Sequence, residues 1–571
     1  MDNLRFALLC ALGVLGFFLY QAWEADYADQ RRAAESTPAE SVNRSADNDL
    51  PDISDAPTQA PDESSPAREP GADRAAAGLA SGSTVRVITD TLDVVIDTQG
   101  GDIRRMRLIG VPVSGEDDSD LVLLNDEAPN FFIAQSGLLV ESGDAPDHRA
   151  TYRSDRDRYE LGPNQDTLEV PLTWTGADGR EVTKVYRFER GHYRIGLTHE
   201  VRNNGGQAWT VSPYARLWRT PFDHGQEAPF AYSFTGVGWH EAKADADGYR
   251  FEKVAAEDLP EEPLKQRQEG GWVSVMQHYF LGAIIPPAGE SVSLYAKAKA
   301  VPGSTAPGFE AGYVGAQRVV EPGQRTTIST ELFLGPKLQD RLEDVAPGLV
   351  LTVDYGIFTF LSSPLFWVLE KLHDLVGNWG WSIVLLTVLI KLAFYKLSET
   401  QFRAMARMRK FAPRMQQLKE QYGDDRQKLQ EKMMDLYKKE GFNPLGGCWP
   451  LLVQMPVFIA LYWVLHESVE LRHADFMLWI NDLSSPDPYY ILPIAFGLTM
   501  FAQQKLSASS MTMDPMQQRM MQIMPIALSV FFAFFPAGLV VYWFTNNLLS
   551  IGQQWYIYRK LDKEGLGQAS G

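Results

Sequence analysis

From residue 83 to about residue 347, apolar and polar positions alternate in short runs such as VRVIT, VTKVYRFE and VSLYAKAKAV, separated by Gly, Asn and Asp. Period-two alternation rich in β-branched residues and closed by turn formers predicts strands. Many such strands with few helical periods predict a large antiparallel β-sandwich over 83–347. The pattern is different at both ends of the chain. Residues 4–20 are apolar apart from Arg5, and five further apolar runs fall at 381–397, 450–465, 489–503, 520–535 and 537–552. Each approaches the length needed to cross a bilayer, which predicts six transmembrane helices.

The first run, within a 1–23 anchor, fits a signal anchor or a signal peptide. Its length and the lack of a small-x-small cleavage pattern favour the anchor. Residues 24–82 carry Pro38, Pro51, Pro57, Pro61, Pro66 and Pro70 among Ala, Ser and Asp, with almost no large apolar residues. Such a segment cannot bury a core and reads as an extended acidic tether. Residues 354–374 (DYGIFTFLSSPLFWVLEKLHD) hold aromatics throughout and charges only toward their end. They predict an amphipathic helix starting at Ser362-Ser363-Pro364, lying either on a membrane surface or on the β-domain.

Charge sets the direction of the spans. The protein has 571 residues and a net charge of −19, with a mean hydropathy of −0.21, values that would describe a soluble acidic protein if the residues were evenly mixed. They are not: most of the acid precedes residue 350. The stretch 398–445 is rich in Arg and Lys, including Arg403, Arg407, Lys410, Arg414, Lys428 and Lys439. The loop 466–488 has one Arg and five acids, the next has Lys505 and Arg519, and the end has Arg559, Lys560 and Lys563. Because positive loops stay in the cytoplasm, both termini are expected there, with the tether and β-domain in the periplasm of a bacterial inner membrane. The basic stretch also has a helical apolar seam (Phe402, Met405, Met408, Met415, Leu418) broken at Gly423-Asp424. It predicts a cytoplasmic helical hairpin over 398–445, serving either as a solvated basic face or as a docking surface for ribosomal RNA and nascent chains.

Lys391 carries the most information. About ten apolar residues precede it, so it lies ~15 Å into a ~30 Å hydrocarbon core. A charge at that depth costs ~2.5–3.5 kcal/mol unless hydrated or paired, and no Asp or Glu stands in the other spans. Its ammonium either snorkels to the headgroups or sits in a water-filled cavity, the more economical reading. Thr387 is one turn away on the same face, and Gln454, Thr499, Gln503, Trp543 and Asn546 are available on other spans to line one groove. Spans of about sixteen residues are ~24 Å long, short enough to thin the bilayer. Pro456, Pro493 and Pro525 add places for the helices to bend.

The stretches NPLGGCWPLLVQMPVFIALYW (443–463), DPMQQRMMQIMP (514–525) and FPAGLVVYWFTNNLLSIGQQ (535–554) closely resemble the YidC/Oxa/Alb insertases. The resemblance runs from about residue 354 to 558, and the tether with a β-rich ectodomain is similar to the Gram-negative subgroup. It implies a polytopic α-helical membrane protein whose five-helix insertase core (379–397 and 446–556, then a tail from 557 to 571) encloses a hydrophilic groove with a buried cation. That cation falls on Lys391, where the family often has Arg, with Thr387 and Trp543 as groove neighbours. The implied function is an insertase and chaperone, not an enzyme, acting on nascent membrane proteins beside the Sec translocon, the ribosome and the phospholipid bilayer.

Other classes find less in the chain. Cys10 and Cys448 supply no disulfide framework. No zinc-type spacing and no phosphate-cradling GxxxxGK[ST] loop occurs, so no cofactor, metal or DNA partner is expected. A secondary transporter would also place charge at the midplane, but should show internal repeats and a second intramembrane charge. Trp174, Tyr186, Trp218, Trp239, Trp272 and Tyr279 would suit a sugar-binding platform, yet no carboxylate pair accompanies them, and strand aromatics more often fill a core.

Overall fold

The computed structural model describes residue 51 and residues 79–563, apart from 114–118, 142, 222–233, 243–248, 305–306, 424, 440–448 and 509–514. The N-terminal anchor and nearly all of the tether lie outside the described residues. The described chain forms two compact units, one reaching Trp367 and taking in Ala460–Ser485, the other made of Val368–Ile459 and the chain from Pro486 onward.

The first unit is a pair of sheets. An 11-stranded sheet runs through Leu264–Glu269, Ser291–Ala298, Phe309–Gly315, Trp209–Arg219, Phe132–Val140, Asp102–Pro112, Leu92–Asp97, Thr84–Ile88 and Arg158–Glu160, with Arg318–Val320 and Asp120–Leu124 as side branches. An 8-stranded sheet runs through Tyr249–Ala255, Gly236–Ala242, Val273–Met276, Phe280–Ile285, Arg325–Pro336, Arg194–Arg202, Glu181–Glu189 and Thr167–Thr175. Neighbours are antiparallel except Thr84–Ile88 with Arg158–Glu160. The alternation read from the sequence is what packs them: Val182, Tyr186 and Phe188 of one sheet share a core with Val94, Ile96, Ile103 and Leu217 of the other. Trp174, Tyr186, Trp218 and Trp272 are all buried, so these aromatics serve the interior and form no open platform.

That interior also holds charge. Lys184 is on the inward face of its strand, and its ammonium donates to the carbonyls of Gly100 (2.6 Å), Ser136 (2.9 Å) and Gly101 (3.3 Å). The Asp102 carboxylate is 4.0 Å away. Burial lowers the ammonium to about 8. His199 is its cross-strand neighbour; among the described residues neither of its buried ring nitrogens has a hydrogen-bond partner, and burial beside Lys184 holds the imidazole at about 3.

Helix α1 (Gln339–Val345) closes the β-rich part. Helix α2 (Thr359–Val376) follows a 3-10 turn at Gly356–Phe358 and starts before the expected Ser-Ser-Pro, so Pro364 lies inside it. This early proline deletes a single backbone donor. Phe360, Trp367 and Leu375 of α2 are exposed.

Helix α3 (Trp379–Ala393) is capped by Asn378, whose side chain accepts from the Trp381 amide at 3.0 Å. It stops earlier than the apolar run at 381–397 suggests. Phe394 leaves helical geometry, and the chain turns by 62° into α4 (Tyr395–Tyr422). Helix α5 (Arg426–Lys439) follows on the far side of Gly423. Then come α6 (Trp449–Glu467), α7 (Ile491–Ala508), α8 (Pro515–Phe532) and α9 (Ala537–Lys563).

Pro493 was expected to bend its helix. It instead occupies the first turn of α7, where its missing N–H has no helical acceptor to lose. Asp487 caps that end, accepting from the amides of Tyr489 (3.0 Å) and Leu492 (2.6 Å). Helix α9 runs well past residue 552 because Ile557 and Leu561, one turn apart, pack against Phe402 of α4. The expected tail at 557–571 therefore begins as helix. Among the described residues no single helix is long and apolar enough to cross a membrane; the bent pair formed by α3 and the start of α4 meets that requirement together.

Candidate functional site

Lys391 is near the C-terminal end of α3, where Ile383, Leu386 and Ile390 bury one face of the helix. The pairing of α3 with α9 brings its side chain to a row of polar residues on α9 at helical spacing: Asn546, Asn547, Ser550 and Gln554, each 8 % exposed or less. The Lys391 ammonium donates to Ser550 Oγ at 2.7 Å. Ser550 Oγ passes its own hydrogen to the Asn546 carbonyl, also at 2.7 Å. Gln454 of α6 completes the set from the other side, with Nε2 3.4 Å from Asn546 Oδ1.

The resulting site is a cation held by neutral dipoles. Among the described residues no carboxylate pairs with Lys391. An ammonium has three donors, and Ser550 accounts for one of them.

The other expected members behave differently. Thr387 is buried, but its hydroxyl donates to the Ile383 carbonyl of its own helix at 2.7 Å, a local bond that commits its hydrogen. Trp543 belongs to an aromatic cluster, its ring centroid 4.6 Å from Phe458, 5.7 Å from Phe532 and 6.3 Å from Phe496. Its indole N–H is buried and, among the described residues, has no hydrogen-bond partner, an unusual condition for a buried tryptophan. Gln503 is half-buried on α7 and, among the described residues, shares no hydrogen bond with the Lys391 group. Thr499 likewise bonds back to its own helix, at the Phe496 carbonyl (2.7 Å). Lys391, Gln454 and Asn546 therefore come together through Ser550, which sequence reasoning missed. The signal was available, since Asn546, Ser550 and Gln554 recur every fourth residue.

Two family profiles cover most of the chain. Residues 371–564 match the 60Kd inner membrane protein family, and residues 84–368 match the YidC periplasmic domain. The membrane protein insertase YidC of Thioalkalivibrio sulfidiphilus is 47 % identical over 99 % of this chain and 100 % of its own length. That of Alkalilimnicola ehrlichii is 46 % identical over 100 % and 98 %. A solved structure described as an active YidC insertase with its first transmembrane domain resolved is similar at 16 % identity and a TM-score of 0.38, covering 84 % of this chain and 93 % of that one. The protein is thus of the inner-membrane class, with a β-rich periplasmic domain. It belongs to the YidC family of membrane protein insertases. These relatives give no support to the transporter alternative.

Proposed function

We propose that this chain assists the insertion, folding and assembly of integral membrane proteins, without chemical catalysis, and that Lys391 is the centre of its client groove. The observation that carries this reading is the Lys391 ammonium, bonded to Ser550 and unmatched by any described carboxylate. Such a cation attracts the acidic or polar flank of a client segment and eases its partial desolvation, while the apolar part moves sideways into lipid. The client's own burial supplies the driving force. Gln454, Asn546 and Ser550 offer further hydrogen bonds; Thr387, Trp543 and Gln503 line the groove wall.

The proposed arrangement has six spans, one in the 1–23 anchor, one in 379–397 and four within 446–556. The 398–445 hairpin and both termini are cytoplasmic; the 24–82 tether and the 83–347 β-domain are periplasmic. The 62° bend at Phe394 supports a short second span that hands over to a helix lying outside the hydrocarbon. Polar residues within α9 shorten its apolar stretch in the same way, which favours local thinning of the bilayer. The exposed Phe360, Trp367 and Leu375 of α2 suit a helix lying in the interface. Partners in this reading are nascent membrane proteins, phospholipids, the Sec translocon and, through the basic cytoplasmic loops, the ribosome.

In cells depleted of the native protein, Lys391→Glu should abolish and Lys391→Ala should reduce insertion of a short client whose translocated tail carries one Asp, read by protease protection. Normal insertion with both variants would remove Lys391 from the mechanism and leave shape and bilayer thinning to account for it.

A further inference from the structure

A second cluster of chemically capable side chains occurs in the β-rich unit. His278 is in the turn between strands Val273–Met276 and Phe280–Ile285, while His466 and Glu467 are the last two residues of α6. One ring nitrogen from each histidine and one Glu467 carboxylate oxygen all lie within 4.8 Å of one another. Adjacent helical residues normally point apart, yet His466 Nε2 is only 3.9 Å from Glu467 Oε1.

The two rings are held firmly. His278 stacks on Tyr279 with centroids 3.7 Å apart, His466 stacks on Tyr462 at 5.7 Å, and the two imidazoles are 4.6 Å apart. His278 Nε2 is 3.0 Å from the His466 carbonyl. The carbonyl accepts, so that nitrogen carries the proton. An outer hydrogen bond of this kind orients metal-ligating imidazoles. His466 and Glu467 are about 5 % exposed, and His278 is half-buried.

We propose that His278, His466 and Glu467 bind one divalent ion of the zinc class, stapling the end of α6 to the Gln277–Tyr279 turn. Two imidazoles and one carboxylate are the ligand chemistry of zinc and its late first-row neighbours rather than of magnesium or calcium, which take oxygen sets. Ligands at ~2.0–2.1 Å in a tetrahedron are roughly 3.4 Å apart, so the donors need to close by less than ~1.5 Å. A water on the open side of His278 completes the coordination.

The site also has a built-in competitor. Lys337, buried just beyond Arg325–Pro336, is an electrostatic partner of Glu467. The positive charge of Lys337 opposes a cation arriving at that carboxylate. Lys337→Met removes the competitor and leaves all three donors in place.

The test uses the tag-free full-length chain in nanodiscs, stripped with a chelator, titrated with Co2+ for its visible ligand-field band and with Zn2+ against a chromophoric chelator. Wild type should bind one ion per chain. His278→Gln, at the half-buried position, and Glu467→Gln should each weaken binding about 10–100-fold, the range of losses at metal sites. Lys337→Met should tighten binding. Metal-free melting curves that superimpose on wild type separate lost ligands from lost folding. Equal Zn2+ affinity in wild type and the His278→Gln/Glu467→Gln double variant, or weaker binding by a well-folded Lys337→Met protein, overturns the site.

Discussion

Ser550 converts a lysine on one helix into a feature shared by two. Without its hydroxyl, the Lys391 ammonium keeps its charge but loses the acceptor that fixes its position, a hydrogen bond to a charged group worth about 1.5–3 kcal/mol. Ser550→Ala should therefore leave the chain folded and lower insertion of the Asp-tailed client less than Lys391→Ala does. The same protease-protection assay run on both variants checks the order, and equal losses would mean that position matters as much as charge. Lys391 was legible in the sequence because a charge inside an apolar run breaks a strong rule. Thr387 was legible only as a neighbour: spacing places a hydroxyl on a face but does not reveal that the hydroxyl bonds to its own helix. Gln503 shows the same limit, since an amide on a span can face any of several partners.

At the level of elements, α7 and α8 touch where Gly497 meets Ser529. A Cβ on Gly497 would come within 2.9 Å of the Ser529 Cβ, and Ser529 Oγ donates to the Pro493 carbonyl at 2.7 Å. Small residues let helices in lipid approach closely enough for dispersion and such cross-bonds to hold them. Gly497→Val should push the pair apart and cost roughly 1–3 kcal/mol, seen as a lower midpoint in thermal unfolding in nanodiscs. Gly497→Ala should cost less. The helices were readable as apolar runs, but their ends were not. The end of α3 at Phe394 carries no Gly or Pro to announce it, and the extension of α9 depends on Phe402, some 150 residues earlier in the chain. Both outcomes are set by packing between helices, which no local pattern records.

For the molecule as a whole, the β-rich unit carries most of the buried charge among the described residues. The His199 imidazole is held at about 3 in the fold against an ordinary value near 6.5. The unfolded chain therefore binds the extra proton between those values, so stability rises with pH through that window and is lost as pH falls through it. Between pH 6.5 and pH 4 the loss from this group is roughly 2–3 kcal/mol. A pH series of melting temperatures should fall more steeply for wild type than for His199→Gln, which keeps a polar group of similar length and cannot titrate. Parallel curves would show that acid acts through other groups. The two-sheet architecture was plain from alternation alone, whereas the cross-strand neighbours Lys184 and His199 required the register between strands to be known.

The β-rich unit is discontinuous in sequence, reaching Trp367 and then resuming at Ala460–Ser485. During synthesis its strands emerge first, but its last segment leaves the ribosome only after Val368–Ile459 has been made. At about 5–20 residues per second that delay is roughly 5–18 s, far longer than sheets take to form. The nascent domain must wait, nearly complete, for a piece that arrives after the first helices of the neighbouring unit. An order of events is thus written into the chain: the β-rich unit closes only after Val368–Ile459 has been made.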